Sequence, residues 1–250
     1  MTQKKFKHQE HEVHYVQGFN IMNLIMLDID GTLTESYEYD QEIFGHAIGE
    51  LLGCPPVDAD LNGYVDKTSL GVTEEAIRRF GGRTPAAGEI EEVKRRVLER
   101  LEKLYRESPG NFTEVPGAGD FLERLRNLEG AGIAIATGCW LEEALFKLRA
   151  SGLKVEGIPI ATSDDDRNRK RIMQLAVKKA GDFYACRDFE RIVYLGDGLW
   201  DLQASRSLGF GFIGIGPRVQ GLKELQAGSW FPDFLDGEAV MASISAALKA

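Results

Sequence analysis

The sequence has little cysteine, no long apolar run and no surplus of positive charge, and each shortage excludes something. Three cysteines occur among 250 residues: Cys54, Cys139 and Cys186. They are scattered, odd in number and without a C-x-x-C spacing, which argues against a disulfide framework and fits a reducing cytoplasm. No apolar stretch approaches the roughly 20 residues of a membrane span. No apolar segment follows the basic residues near the start, so a signal peptide is not expected. Lys and Arg number 30 against 39 Asp and Glu, for a formal charge of −9. A broadly acidic surface disfavours nucleic acid and anionic membranes as partners. It also repels an anionic substrate, so a phosphate site must build its own local positive field. Internal repeats and long low-complexity segments are missing too.

What is present is the material of a core. Hydrophobic residues make up 43% and aromatics 9%, which excludes a disordered chain. The length fits one large domain or a core with a smaller insert. Residues 1–20 stand apart: they are polar and hold His8, His11 and His14. The plain reading is a solvated N-terminal tail, or an upstream start to a chain whose fold begins near Met22. Short His spacing is too common by chance to carry a metal-binding reading.

Five apolar runs of near strand length recur: Leu24–Leu27, Ile133–Ala136, Ile158–Ala161, Ile192–Leu195 and Phe210–Ile215. Rich in Ile, Val or Leu, they suit strands buried on both faces of a parallel sheet. Between and after them, Phe121–Leu128, Leu141–Leu148, Ile172–Ala180 and Leu202–Leu208 carry apolar residues at three- and four-residue steps, as helices do. The alternation predicts a doubly wound, mostly parallel α/β sheet, a Rossmann-like core. The first interval is far longer than one crossover helix. Between Glu35 and Thr113 lie helical patterns (Ile43–Leu52, Glu74–Phe80, Ile90–Tyr105) and no convincing strand. The expected organisation is therefore a core of residues 21–34 and 114–250, with 35–113 inserted as a helical cap.

The chemistry gathers at the strand ends. The first run is followed by Asp28-Ile29-Asp30-Gly31-Thr32-Leu33-Thr34. Asp28 and Asp30, two apart on an extended backbone, face the same side, and Gly31 permits a sharp turn. Ligands of open α/β sheets bind beyond the carboxyl ends of the strands. A single Asp there is commonly a turn cap, whereas two on one face repel each other and call for a compensating positive group. The second run ends in Ala136-Thr137-Gly138 before a helix, where a hydroxyl and freed N–H groups suit a phosphate oxygen, or simply cap the helix. The fourth ends in Gly196-Asp197-Gly198-Leu199-Trp200-Asp201, with Asp201 one turn into the next helix and able to face back. Positive charge lies at Arg167, Arg169, Lys170 and Arg171, before the helix that begins near Ile172. Such a run is usually a solvated face, but its place after the third strand lets one member turn inward. Hard oxygen ligands at this density suit Mg²⁺, and phosphoryl transfer needs little beyond positioning and charge neutralisation.

The quartet DIDGT, ATG, a basic residue before a helix, and GDGLWD resembles the haloacid dehalogenase superfamily of phosphohydrolases, in the expected order along the whole core. The helical insert resembles that superfamily's cap, and Val65-Asp66-Lys67-Thr68-Ser69 with Thr73–Ile77 looks like the cap of phosphoglycolate phosphatase-type members, with Ser69 where those carry an acid. The resemblance implies Asp28 as nucleophile and metal ligand, and Asp30 as general acid and base whose backbone carbonyl also binds metal. It implies Thr137 and Gly138 as phosphate ligands, and Asp197 with Asp201 as the Mg²⁺ site. The cation of the third motif is normally Lys; here Arg169 and Lys170 both fit, and Arg169 stands three residues before the first apolar position of its helix. The implied activity is Mg²⁺-dependent hydrolysis of a small phosphorylated metabolite. A phosphosugar mutase or a dehalogenase of the same fold, and a phospho-accepting regulatory domain without turnover, are the alternatives. Asp30 and the Asp197/Asp201 pair argue against the dehalogenase, and the large insert against the regulatory domain.

Overall fold

The computed structural model describes residues 22–86, 88–217 and 229–249. The N-terminal tail of residues 1–20, with its histidines, lies outside the described residues. In chain order the elements are β1 (Met22–Leu27), α1 (Tyr37–Leu52), α2 (Ser69–Gly81), α3 (Glu89–Glu107), α4 (Ala118–Arg126), β2 (Ala131–Ala136), α5 (Leu141–Ala150), β3 (Ile160–Ala161), α6 (Arg169–Tyr184), β4 (Phe189–Gly196), α7 (Leu199–Leu208), β5 (Gly211–Ile215), β6 (Ser229–Phe231) and α8 (Gly237–Ala247).

The strands form one sheet in the order β3-β2-β1-β4-β5-β6, and every pair is parallel. Alternate residues of each strand feed opposite layers, as the two-residue period of a strand requires. Ile25, Leu27, Ile133, Ile135, Val193, Leu195, Ile213 and Ile215 pack with α4, α5 and α8 through Phe121, Leu122, Leu125, Ala144, Leu148, Val240 and Ile244. Leu24, Met26, Ala134, Ala136 and Tyr194 pack with α6 and α7 through Ile172, Met173, Ala176, Ala180 and Ala204. The sheet is thus covered on both faces, which is why its strands read as continuous apolar runs. The strand order reverses between β1 and β4, and a ligand crevice opens at such a switch point, beyond the carboxyl ends of those two strands.

Two sheet edges depart from the expectation. The third strand is two residues long rather than four, because Pro159 has no N–H to donate and Ile158 closes a turn onto the Val155 carbonyl at 3.0 Å. The edge strand β6 is three residues long, too short for an alternating pattern to register.

Helices α1 to α3 lie between β1 and α4 and bury their own apolar faces together: Ile43, Phe44, Ala47, Ile48, Val72, Ala76, Ile77, Val93, Val97 and Leu101. On α3 the buried Val93, Val97 and Leu101 recur every four residues, one stripe of an otherwise charged helix. The chain leaves and re-enters at one place. Thr34 and Glu114 form an antiparallel bridge, Glu35 N donates to Thr113 O at 3.0 Å, and Val115 N to Leu33 O at 2.9 Å. Trp140, at the start of α5, stacks on Phe44 of α1 with ring centroids 5.5 Å apart, joining the helical excursion to the sheet layers.

Candidate active site

The crevice predicted by the topology is lined by the acidic motifs. Asp28 is the first residue past β1; its N–H donates to Leu195 O of β4 at 2.9 Å, and its side chain is buried. Gly31 takes a φ of 77°, a left-handed conformation open to glycine, and its N–H closes the turn onto Thr34 O at 2.8 Å. Asp197 follows β4 and is buried. Asp201 lies in the first turn of α7, where Oδ2 accepts the Gly198 N–H at 3.1 Å and so folds back over the strand end. Oxygens of Asp28, Asp197 and Asp201 lie within 4.8 Å of one another.

The cation is Arg169, the first residue of α6. Its Nη2 donates to Asp28 Oδ2 at 2.7 Å and its Nε to Asp201 Oδ1 at 2.8 Å, while the residue is only 8% exposed. Lys170 points elsewhere: it is exposed, and its Nζ reaches Ser207 Oγ at 3.5 Å. A helical turn separates directions by about 100° per residue, so neighbouring residues cannot both face the crevice. Thr137 is fully buried at the end of β2, and its hydroxyl accepts the Cys139 N–H at 3.2 Å. Gly138 leaves little room for a side chain. A Cβ there would lie 3.0 Å from the Lys67 carbonyl and 3.2 Å from Arg169 Nη1. The structure therefore brings Asp28, Asp30, Thr137, Gly138, Arg169, Asp197 and Asp201 to one crevice and leaves Lys170 outside it.

The electrostatics call for two further ligands of opposite sign. Asp28 Oδ1 and Arg169 Nη1 are both buried without a hydrogen-bond partner. Burial pushes the Asp28 carboxyl well above its ordinary pKa; Arg169 pulls against this, and Asp201, Asp197 and Asp30 add to it. Burial works against the charge on Arg169, yet Asp201 and Asp28 hold its pKa well above the usual value. Asp28, Asp197 and Asp201 bring carboxylate oxygens within 4.8 Å of one another, and Arg169 pairs with Asp28 and Asp201. The donor set is all oxygen, which fits a hard cation such as Mg²⁺.

Asp30 sits in a second polar cluster that sequence reasoning missed. Its carboxylate accepts from the Lys147 ammonium at 2.9 Å, from the Cys139 thiol at 2.6 Å and from the Ser36 hydroxyl. Burial alone would raise the Asp30 pKa, but Lys147, Cys139 and Ser36 outweigh it and bring it below the ordinary value. Lys147 is fully buried in the middle of α5, and it also donates to Asp40 at 2.6 Å and Glu143 at 2.8 Å. In sequence, Glu143 and Lys147 are an (i, i+4) pair of the kind that ordinarily marks a solvated helix face. The sequence carries no signal that α1 and α2 cover this face.

The helical excursion closes the crevice from above. Ser69 N donates to Gly138 O at 2.8 Å, Ser69 Oγ to Glu143 at 2.9 Å, and Thr68 Oγ1 to Arg167 O at 2.8 Å. Beneath these contacts, between Asp30, Asp40, Phe44, Ser69, Thr137 and Arg169, lies a cavity of about 70 Å³.

Comparison with known proteins agrees with this geometry. No curated protein matches the chain. Among solved structures, a hydrolase from Pseudomonas syringae is 23% identical with a TM-score of 0.65, over 85% of this chain and 95% of that one. CbbY from Rhodobacter sphaeroides, solved in complex with phosphate, is 24% identical with a TM-score of 0.64, over 86% and 95%. A predicted phosphoglycolate phosphatase from Haemophilus somnus is 18% identical with a TM-score of 0.54, over 88% and 98%. At these identities the likeness is one of fold. The family model of the haloacid dehalogenase-like hydrolases matches residues 22–209, three quarters of the chain and the ends of β1 to β4. The chain belongs to the haloacid dehalogenase-like hydrolases.

Proposed function

We propose that the protein is a Mg²⁺-dependent phosphatase that hydrolyses a small phosphate monoester through an aspartyl-phosphate on Asp28. The observation that carries this reading is the Asp28–Arg169 pair, set among Asp197 and Asp201 at the point where the strand order reverses, with one buried oxygen and one buried N–H group left over. When a carboxylate attacks phosphorus beside a guanidinium, the charge on the phosphoryl oxygens is met by a preorganised donor. Thr137, the N–H groups after it and Arg169 would hold the phosphoryl oxygens. Asp28, the Asp30 carbonyl, Asp197 and Asp201 would hold Mg²⁺. The bound cation would neutralise the carboxylates and the phosphate together.

The chemistry divides into two displacements. An Asp28 oxygen forms a bond to phosphorus as the ester P–O bond breaks, and the departing oxygen takes both electrons and a proton from Asp30. Water then attacks phosphorus, gives a proton to Asp30, and releases phosphate and the Asp28 carboxylate.

On the same reading, residues 21–34 and 114–250 are the catalytic core and 35–113 a cap that excludes bulk water and selects the leaving group. The small cavity under α1 and α2 supports a small organic group on the ester. A mutant of the CbbY neighbour was solved with Xylulose-(1,5)bisphosphate, which keeps phosphorylated sugars among the candidates for this chain. Three free cysteines support a reducing, cytoplasmic setting, and no described helix is long and apolar enough to cross a membrane. The test is phosphate release from a panel of phosphate monoesters with Mg²⁺ and with a chelator. Release that depends on Mg²⁺ and favours particular esters supports the reading, and release indifferent to the chelator overturns it.

A further inference from the structure

We infer that Lys147 is the positioning residue for the acid–base carboxylate Asp30, and that it ties Asp30 to the two helices covering the site. The inference rests on the acid–base reading of Asp30 given above. Lys147 is fully buried in the middle of α5, where an ammonium is retained only if its hydrogen bonds are met. Its Nζ has three carboxylate partners on three separate elements: Asp30 after β1 at 2.9 Å, Asp40 on α1 at 2.6 Å and Glu143 on α5 at 2.8 Å.

The network extends to the cover. Glu143 Oε2 accepts from Ser69 Oγ of α2 at 2.9 Å and from Trp140 N at 3.3 Å. On its other side Asp30 is held by Ser36, in the segment where the chain passes from the sheet to α1. Asp40 and Ser69 both belong to the helical excursion, so the position of the ammonium, and with it that of Asp30, depends on the excursion being seated. Lys147 does not line the cavity, so its part in the reaction is exerted through Asp30. A misplacement of an acid–base group by about 1 Å can reduce a rate on the order of a hundredfold.

Leaving groups separate positioning from mere support of the fold. A nitrophenyl ester needs no acid in the first displacement but still needs the base in the second, whereas an alkyl ester needs both. Lys147→Met should therefore lower kcat for an alkyl phosphate about a hundredfold, with KM unchanged within about twofold. With nitrophenyl phosphate, acid quenching and intact-mass analysis should reveal a phosphorylated protein. Ser69→Ala removes one hydrogen bond at the far end of the network and should show the same leaving-group dependence with a smaller loss. It serves as the test if Lys147→Met does not fold. Asp30→Asn is run beside them. If Asp30→Asn accumulates the adduct and the network variants lose activity equally on both esters, without adduct, the positioning role is overturned. If Asp30→Asn itself accumulates none, the acid–base reading falls and the proposal with it.

Discussion

Arg169→Ala removes the guanidinium that bridges Asp28 and Asp201, and its effects can be worked out from the geometry. The side chain makes close contacts at 2.7 and 2.8 Å to two buried carboxylates. Removing one partner of a buried pair leaves uncompensated charge and typically costs about 3–5 kcal/mol. Loss of a donor aimed at transition-state charge should lower kcat by about a hundred- to a thousandfold. Mg²⁺ bound at the same carboxylates would supply positive charge, so adding it should recover part of the stability but not the rate. Lys170→Ala, one residue on and exposed, should change stability by less than about 0.5 kcal/mol and leave kcat nearly unchanged. Urea unfolding with and without Mg²⁺, alongside steady-state kinetics on nitrophenyl phosphate, measures both. Equal losses from the two variants, or a larger loss from Lys170→Ala, would refute the assignment of Arg169 as the phosphate clamp.

Three further outcomes are expected. Gly138→Ala brings a Cβ to 3.0 Å from the Lys67 carbonyl and 3.2 Å from Arg169 Nη1; it should destabilise by about 1–3 kcal/mol and lower kcat, and an unchanged kcat in a folded variant would contradict the packing argument. The raised pKa of Asp28 means that the folded state binds a proton the unfolded state has released, so its contribution to stability falls as pH rises above the ordinary carboxylate range. In chelator, wild type should lose stability relative to Asp28→Asn as pH rises toward neutrality, by at most about 1.4 kcal/mol per pH unit, and Mg²⁺ should reverse the trend; a difference that does not vary with pH would refute it. Replacing residues 35–113 by a short linker, with Trp140→Ser to make the uncovered face less apolar, should leave a folded core that has lost selectivity among esters and, without Ser36, Asp40 and Ser69, part of its rate. Retention of the same ester preferences would rule the helical excursion out as the specificity element.

The sheet and most of the crevice were legible because both depend on local signals. Runs such as Ile133–Ala136 announce strands buried on both faces, and Asp28 and Asp30 follow such a run at a spacing that puts them on one side. Asp201 was legible for the same reason, one turn into a helix whose start Gly198 marks. What escaped depends on contacts distant in sequence. Whether Arg169 or Lys170 turns inward is decided by where α6 begins, and Asn168 caps it one residue before Arg169, its side chain accepting the Arg171 N–H at 3.4 Å. Nothing local marks Lys147 as buried: its (i, i+4) partner Glu143 fits a surface helix equally well, and Asp40 lies 107 positions earlier. Edge strand β6 had no pattern to offer, since three residues do not establish an alternation. Helix α8 went unread, with Val240 and Ile244 as its fully buried apolar pair.

If phosphate passes through the Asp28 carboxylate, the bond between them can itself be detected. The Asp30→Asn protein, mixed with nitrophenyl phosphate and Mg²⁺ and quenched in acid within the first turnovers, is digested and mapped by mass spectrometry. One phosphoryl group is expected on the peptide that carries Asp28, and it should disappear when Asp28→Asn is added to the same chain. A phosphoryl group that persists in the double variant, or that maps to a peptide without Asp28, would contradict passage through Asp28.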